Sequence, residues 1–140
     1  MLTYLDVHYT GRKVTLAPCP VPAGFPSPAG DDQEEVVDFV SWIVRHEAST
    51  FWWRVSGDSL SSIGILDGDW VAIDRTGKAR PGRVVLAVHE GQVLIKVLEK
   101  RDGRLVLEAR SFREYPPIMV GEDTTIWGVM AGLARKMAIE

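Results

Sequence analysis

The sequence predicts a mostly β fold, a sandwich or partly closed barrel of short strands, with one short helix and an extended N-terminal arm. Three observations carry this. Short β-prone runs are separated by glycine turns, one stretch has helical periodicity, and one segment is too rich in proline for either. Residues 1–17 alternate apolar and polar around Val7 to Val14, which suits a short hairpin turning at Gly11 or a loose extended arm. Residues 18–30 contain five prolines and exclude helix and inner strand, so an extended, polyproline-like segment is expected. By composition alone that segment reads as a linker.

A helix is expected over residues 33–47. Asp31 and Asp32 offer an N-cap, and Glu34 and Glu35 suit the positive end of its dipole. Val36, Val37, Val40, Ile43 and Val44 would form its apolar stripe, with Trp42 on the opposite face, against another subunit, the arm or a neighbouring loop. Strands follow at 50–55, 70–74, 83–89, 92–99, 104–110 and 125–133. The turns between them are Asp67-Gly68-Asp69, Pro81-Gly82, Glu90-Gly91 and Asp102-Gly103. Trp52 and Trp53 are adjacent in a strand, so they must face opposite ways.

Composition narrows the function. The 140 residues make one domain with a short arm, and the net charge of −3 argues against a general binder of nucleic-acid phosphates. No apolar run is long enough to span a membrane, and the N-terminus lacks the pattern of a signal peptide. The one cysteine, Cys19, excludes an internal disulfide and a cysteine-based zinc cage. These features point to a soluble protein of the cytoplasm, with no cofactor or metal implied.

Two residues could carry chemistry together. Ser59 stands at the end of a strand in the turn Ser56-Gly57-Asp58-Ser59-Leu60, with backbone N–H groups of Gly57, Asp58 and Ser59 nearby to hold an oxyanion. Lys96 is the one charge in the run Val93-Leu94-Ile95-Lys96-Val97-Leu98, on the strand face shared with Gln92, Leu94 and Leu98. A lysine among apolar neighbours loses charge, and a neutral lysine can take the proton of a serine. Each also has a plainer and commoner reading: a turn serine, and a strand lysine that reaches to water or blunts an edge. His8, His46 and His89 lack companion motifs for a triad, and no carboxylate or histidine spacing suggests a metal.

Four segments in order resemble the LexA-like serine peptidases, the self-cleaving proteins of the bacterial DNA-damage response. Ala23-Gly24 resembles the scissile bond, and Ser56-Gly57-Asp58-Ser59-Leu60 the nucleophile motif. Gly64-Ile65-Leu66-Asp67-Gly68-Asp69 resembles the strand-turn that follows, and Val93-Leu94-Ile95-Lys96 the strand bearing the lysine base. Within that family Gly24-Phe25-Pro26-Ser27-Pro28-Ala29 is most similar to the UmuD branch. The residues before Gly24 are too few for the winged helix-turn-helix of a repressor. Leu60 stands where the family usually has methionine, and Ala23 where UmuD has cysteine.

The resemblance implies a division into an arm removed by self-cleavage (1–23), a proline-rich linker (24–32) and a peptidase core (33–140). It implies Ser59 as nucleophile, Lys96 as general base and the Ala23–Gly24 bond as substrate. It also implies a homodimer, stimulation by a RecA filament on single-stranded DNA, and a cleaved form that joins a UmuC-like Y-family polymerase in error-prone translesion synthesis. Two alternatives stay open: a non-catalytic polymerase subunit, and a repressor-like fragment without its DNA-binding domain.

Overall fold

The structure is a computed structural model that describes residues 12–17, 21, 23–24 and 35–139. The expected turn at Gly11, the caps at Asp31 and Asp32, Glu34, most of the 24–32 linker, His8 and Cys19 lie outside the described residues.

The fold is mostly β. Seven antiparallel strands form one open sheet, in the order β3-β4-β9-β5-β6-β7-β8. They are β3 (Thr50–Arg54), β4 (Trp70–Asp74), β5 (Val84–His89), β6 (Gln92–Arg101), β7 (Arg104–Glu108), β8 (Ile118–Met119) and β9 (Thr124–Ala134). A second small sheet pairs β1 (Val14–Leu16) with β2 (Glu35–Val37), with Thr15 opposite Val36. Residues 14–16 thus pair with residues 35–37, on the far side of the proline-rich stretch.

The hairpins follow from turn chemistry. Glu90 and Gly91 have φ of 50° and 79°, and Asp102 and Gly103 repeat this at 50° and 77°. Positive φ at both central residues twists a two-residue turn to match its flanking strands. Accordingly His89 lies opposite Gln92 and Arg101 opposite Arg104.

The helix differs from expectation. Residues 35–37 are strand, and α1 is only Phe39–Ile43. Asp38, not Asp31 or Asp32, is its N-cap, accepting from the N–H groups of Val40 (3.1 Å) and Ser41 (3.3 Å). The reason is local: β-branched Val36 and Val37 fit a strand with a partner, and an aspartate that bonds the backbone ahead starts a helix. The five-valued stripe is therefore divided. Val36 and Val37 belong to β2, Val44 is buried, and Trp42 is exposed. Ile118–Met119 is a further strand without a signal in the sequence pattern, two residues long and preceded by Pro116-Pro117.

Both faces of the central strands are buried. Along β5, Leu86 joins a cluster with Leu60, Ile65, Val71, Ile73, Val97 and Trp127. Its neighbours Val85 and Ala87 join the other cluster, with Leu98, Leu107 and Val129. Trp53 is the core member of the tryptophan pair and meets Trp127 edge-on, 5.5 Å between ring centroids. Its buried indole N–H has no acceptor among the described residues, a cost of about 1–3 kcal/mol that ring packing must offset.

Strand β9 reaches both halves of the sheet by stepping its register. Leu86 faces Gly128 but Ala87 faces Ile126, and Ala72 faces Gly132 but Ile73 faces Met130. Gly128 also lets β4 approach: a Cβ there would sit 2.6 Å from Ile73 Cγ2 and 3.0 Å from the Asp74 carbonyl oxygen. Gly128→Ala is expected to destabilise the fold by about 1–3 kcal/mol, read as a lower midpoint in urea.

Candidate active site

The strand β3 ends at Arg54, and the chain turns at once into the Ser59 loop. Three contacts fix that loop. Gly57, at φ 93°, donates its N–H to Asp67 Oδ1 at 2.8 Å. Arg110 N–H donates to the Ser59 carbonyl at 2.7 Å, and Ser62 N–H to the Arg110 carbonyl at 2.9 Å. Leu60, 1% exposed, drives the base of the loop into the core beside Ile65. Ser59 is thus held between the end of β7 on one side and the Gly64–Asp69 turn on the other.

A cleft of about 420 Å³ opens beside this loop. Ser59 and Lys96 both line it, with Trp53, Val55, Leu86, Ile95 and Tyr115 among its walls. The Ser59 hydroxyl donates to the carbonyl of Ile95, the residue before Lys96, at 3.3 Å. Lys96 Nζ lies over the Tyr115 ring, 4.9 Å from its centroid. The two side chains share one cleft, each engaged with a different partner. Burial pushes the Lys96 ammonium below the usual lysine range, and the negative charge of Asp58 opposes that shift in part.

The backbone around Ser59 is polarised for anions in part. Among the described residues the Asp58 and Ser59 N–H groups have no acceptor, whereas the Gly57 N–H is held by Asp67. Ala23 and Gly24 are exposed and are not among the residues lining the cleft. His46 is elsewhere. It bonds Asp74 at 2.8 Å in a knot with Ser49 and Thr76. His89 bonds Thr124 at 2.7 Å. Among the described residues no group of three His, Cys, Asp or Glu is arranged to hold a metal ion.

Sequence reading passed over three supports of this site. Tyr115 donates its hydroxyl to the Asp58 carboxylate, and Arg113 lies 3.4 Å from the same group. Arg110 stitches the loop through its backbone, while its guanidinium pairs with Glu99 at 3.1 Å and Glu108 at 3.0 Å. Arg135 forks onto buried Asp69 at 2.6 and 2.7 Å and reaches the Gly64 carbonyl at 2.7 Å. None of these residues carries a local motif, and their partners are far away in the chain.

Residues 17–131 match the family model described as Peptidase S24-like. The chain belongs to the Peptidase S24-like family. Its relatives agree. Protein SamA of Salmonella typhimurium is 33% identical over 115 residues, covering 82% of this chain and 80% of that protein. Protein ImpA of Escherichia coli is 36% identical over 114 residues, 81% of this chain and 78% of ImpA. The LexA repressor of Clostridium perfringens is 35% identical over 115 residues, 82% of this chain but 56% of the repressor. This S24-like chain therefore has the LexA-like β core that its segments resemble. No helix among its described residues is long and apolar enough to cross a membrane.

Proposed function

We propose that this protein is a UmuD-like switch of the bacterial DNA-damage response that cleaves its own chain between Ala23 and Gly24. The observation that carries the reading is the shared cleft of Ser59 and Lys96 in an S24-like chain. In the reaction, neutral Lys96 Nζ takes the Ser59 hydroxyl proton as Oγ bonds the Ala23 carbonyl carbon. The N–H groups of Asp58 and Ser59 hold the resulting oxyanion, while Gly57 shapes the loop through Asp67. The carbon–nitrogen bond to Gly24 then breaks, and the Gly24 nitrogen takes the proton from Lys96. Water, giving its proton to Lys96, hydrolyses the ester and frees Ser59.

The sheet offers a place for the arm. β6 pairs with β5 along residues 92–97, but β7 joins its other side only from Val97 onward. Residues 93–96 thus leave one strand edge open along the cleft, among the described residues. An extended, proline-restricted segment adds to such an edge at low entropic cost. Small Ala23 and Gly24 suit the narrow approach to Ser59.

Base strength sets the pH response. Only neutral Lys96 can accept the proton, so the rate should rise about tenfold per pH unit from neutrality. Burial lowers its pKa from the ordinary lysine value, so the rise should level off at a lower pH than for an exposed lysine. A time course of cleavage from pH 7 to 11 checks this, and a flat profile would count against lysine as base.

The proposal extends to partners. A homodimer accepts stimulation from a RecA filament on single-stranded DNA, and the cleaved form, residues 24–140, binds a UmuC-like Y-family polymerase in the cytoplasm. Incubation with RecA, ATP and single-stranded DNA should accelerate the cut at neutral pH. A chain that stays intact both at pH 10 and with RecA would remove self-cleavage, and a cleaved form that captures no Y-family polymerase would favour the repressor-like alternative.

A further inference from the structure

The mechanism needs Lys96 neutral and next to Ser59, yet the described contacts hold its amine elsewhere. Lys96 Nζ rests 4.9 Å from the centre of the Tyr115 ring. Tyr115 in turn is fastened by its hydroxyl to the Asp58 carboxylate, on the same loop as the nucleophile. Arg113, two residues before Tyr115, lies 3.4 Å from the same carboxylate. A π face and a nearby carboxylate both favour the charged ammonium. The Ser59 hydroxyl meanwhile donates to the Ile95 carbonyl.

We infer that Tyr115 is a positioning residue, a latch that keeps Lys96 as a cation on its ring, with Asp58 as the tether. This inference rests on the self-cleavage reading and adds to it a residue that restrains the reaction. Tyr115 lines the cleft that the arm must occupy, so an arm seated there displaces the ring and frees the amine for Ser59. The latch explains how a chain carrying its own substrate is kept from cutting itself at once.

The charges around Lys96 are consistent with this assignment. The Ser59 loop contributes Asp58, β3 contributes Arg54 at the cleft wall, and the 111–117 segment contributes Arg113 and Tyr115. On β5 the residue opposite Lys96 is Val85, which brings no charge. Glu99 and Glu108 further along are paired with Arg101 and Arg110. Asp58 is thus the anion that acts on Lys96, and it raises the lysine against the effect of burial. Its bond also raises the Tyr115 hydroxyl above the usual tyrosine range.

The test separates the latch from the cleavage it regulates. In the full chain carrying Ser59→Ala, which cannot cut, the Lys96 side chain is titrated by NMR with and without Tyr115→Leu. Loss of the ring should lower the Lys96 midpoint by about half to one pH unit. Tyr115→Phe keeps the ring and loses the tether, and should move it less. With Ser59 intact, Tyr115→Leu should cut about three to ten times faster at neutral pH, its pH profile displaced by the same amount. Tyr115 is 38% exposed, so the leucine is accommodated at the surface. An unmoved or raised Lys96 midpoint overturns the latch, as does slower cutting with an unmoved profile, which would make Tyr115 scaffolding. A parent chain that never cuts while Tyr115→Leu still lowers the midpoint would reject self-cleavage and uphold the latch.

Discussion

Ser59→Ala and Lys96→Ala are each expected to abolish self-cleavage, slowing it by at least about a thousandfold at every pH. The magnitude follows from the chemistry: removing the nucleophile removes the acyl intermediate, and removing the base leaves a hydroxyl that is inert at neutral pH. Neither change should unfold the protein. Among the described residues the Ser59 hydroxyl makes one hydrogen bond, to the Ile95 carbonyl, worth about 1 kcal/mol. Lys96→Arg sharpens the test, because arginine keeps length and charge but does not give up its proton. It should be as inactive as the alanine variant. Gel or mass assays at pH 7 and pH 10 read all three, with thermal melting as the folding control. Cutting by Lys96→Arg at the parental rate would remove lysine from the role of base.

The largest effect on stability is expected from Arg135→Ala. Asp69 is 1% exposed, and its carboxylate is held by the Arg135 fork and the Leu66 N–H at 2.8 Å. Removing the cation leaves a buried charge with one donor among the described residues, the Leu66 N–H, which costs about 3 kcal/mol. In a chain of this size that lowers Tm by about 10 °C. The loss also reaches the Ser59 loop, because the Asp69 carbonyl accepts from Val55 N–H (2.7 Å) just before it.

The same pair sets the acid limit. The bond from Arg135 first of all holds Asp69 down at about 2 from 3.8, and Arg101 foremost holds Glu108 at about 2 from 4.5. A carboxylate with a depressed folded pKa stabilises fully above its unfolded value and loses that contribution as pH falls toward the folded one. Stability should therefore fall between about pH 4.5 and 2. Arg135→Ala should fall less across that window, since Asp69 no longer contributes. Urea titrations at pH 6, 4 and 3 decide it. An Arg135→Ala chain that melts with its parent would show that Asp69 does not need the fork.

How far the sequence was legible depended on the range of the forces involved. Gly91 and Gly103 announced their hairpins because a positive φ is a local demand. Trp52 and Trp53 revealed their opposite faces because strand alternation is local too. The stretch 33–47 misled, because its valines fit a helical stripe as well as a strand, and what decides is the partner β1. In the site, Ser59 and Lys96 stood out through motif and context. Tyr115 did not, since its bond to Asp58 spans 57 positions and leaves no periodic trace. Asp69 stands in a turn motif, and nothing near it in sequence indicates Arg135, 66 positions away.

The most direct measurement is the intact mass of the purified chain after incubation at pH 10, beside its Ser59→Ala counterpart. Two new masses, for residues 1–23 and 24–140, are expected from the parent chain and none from the variant. A parent that stays whole, a cut at any bond other than Ala23–Gly24, or cutting that persists in Ser59→Ala would contradict it.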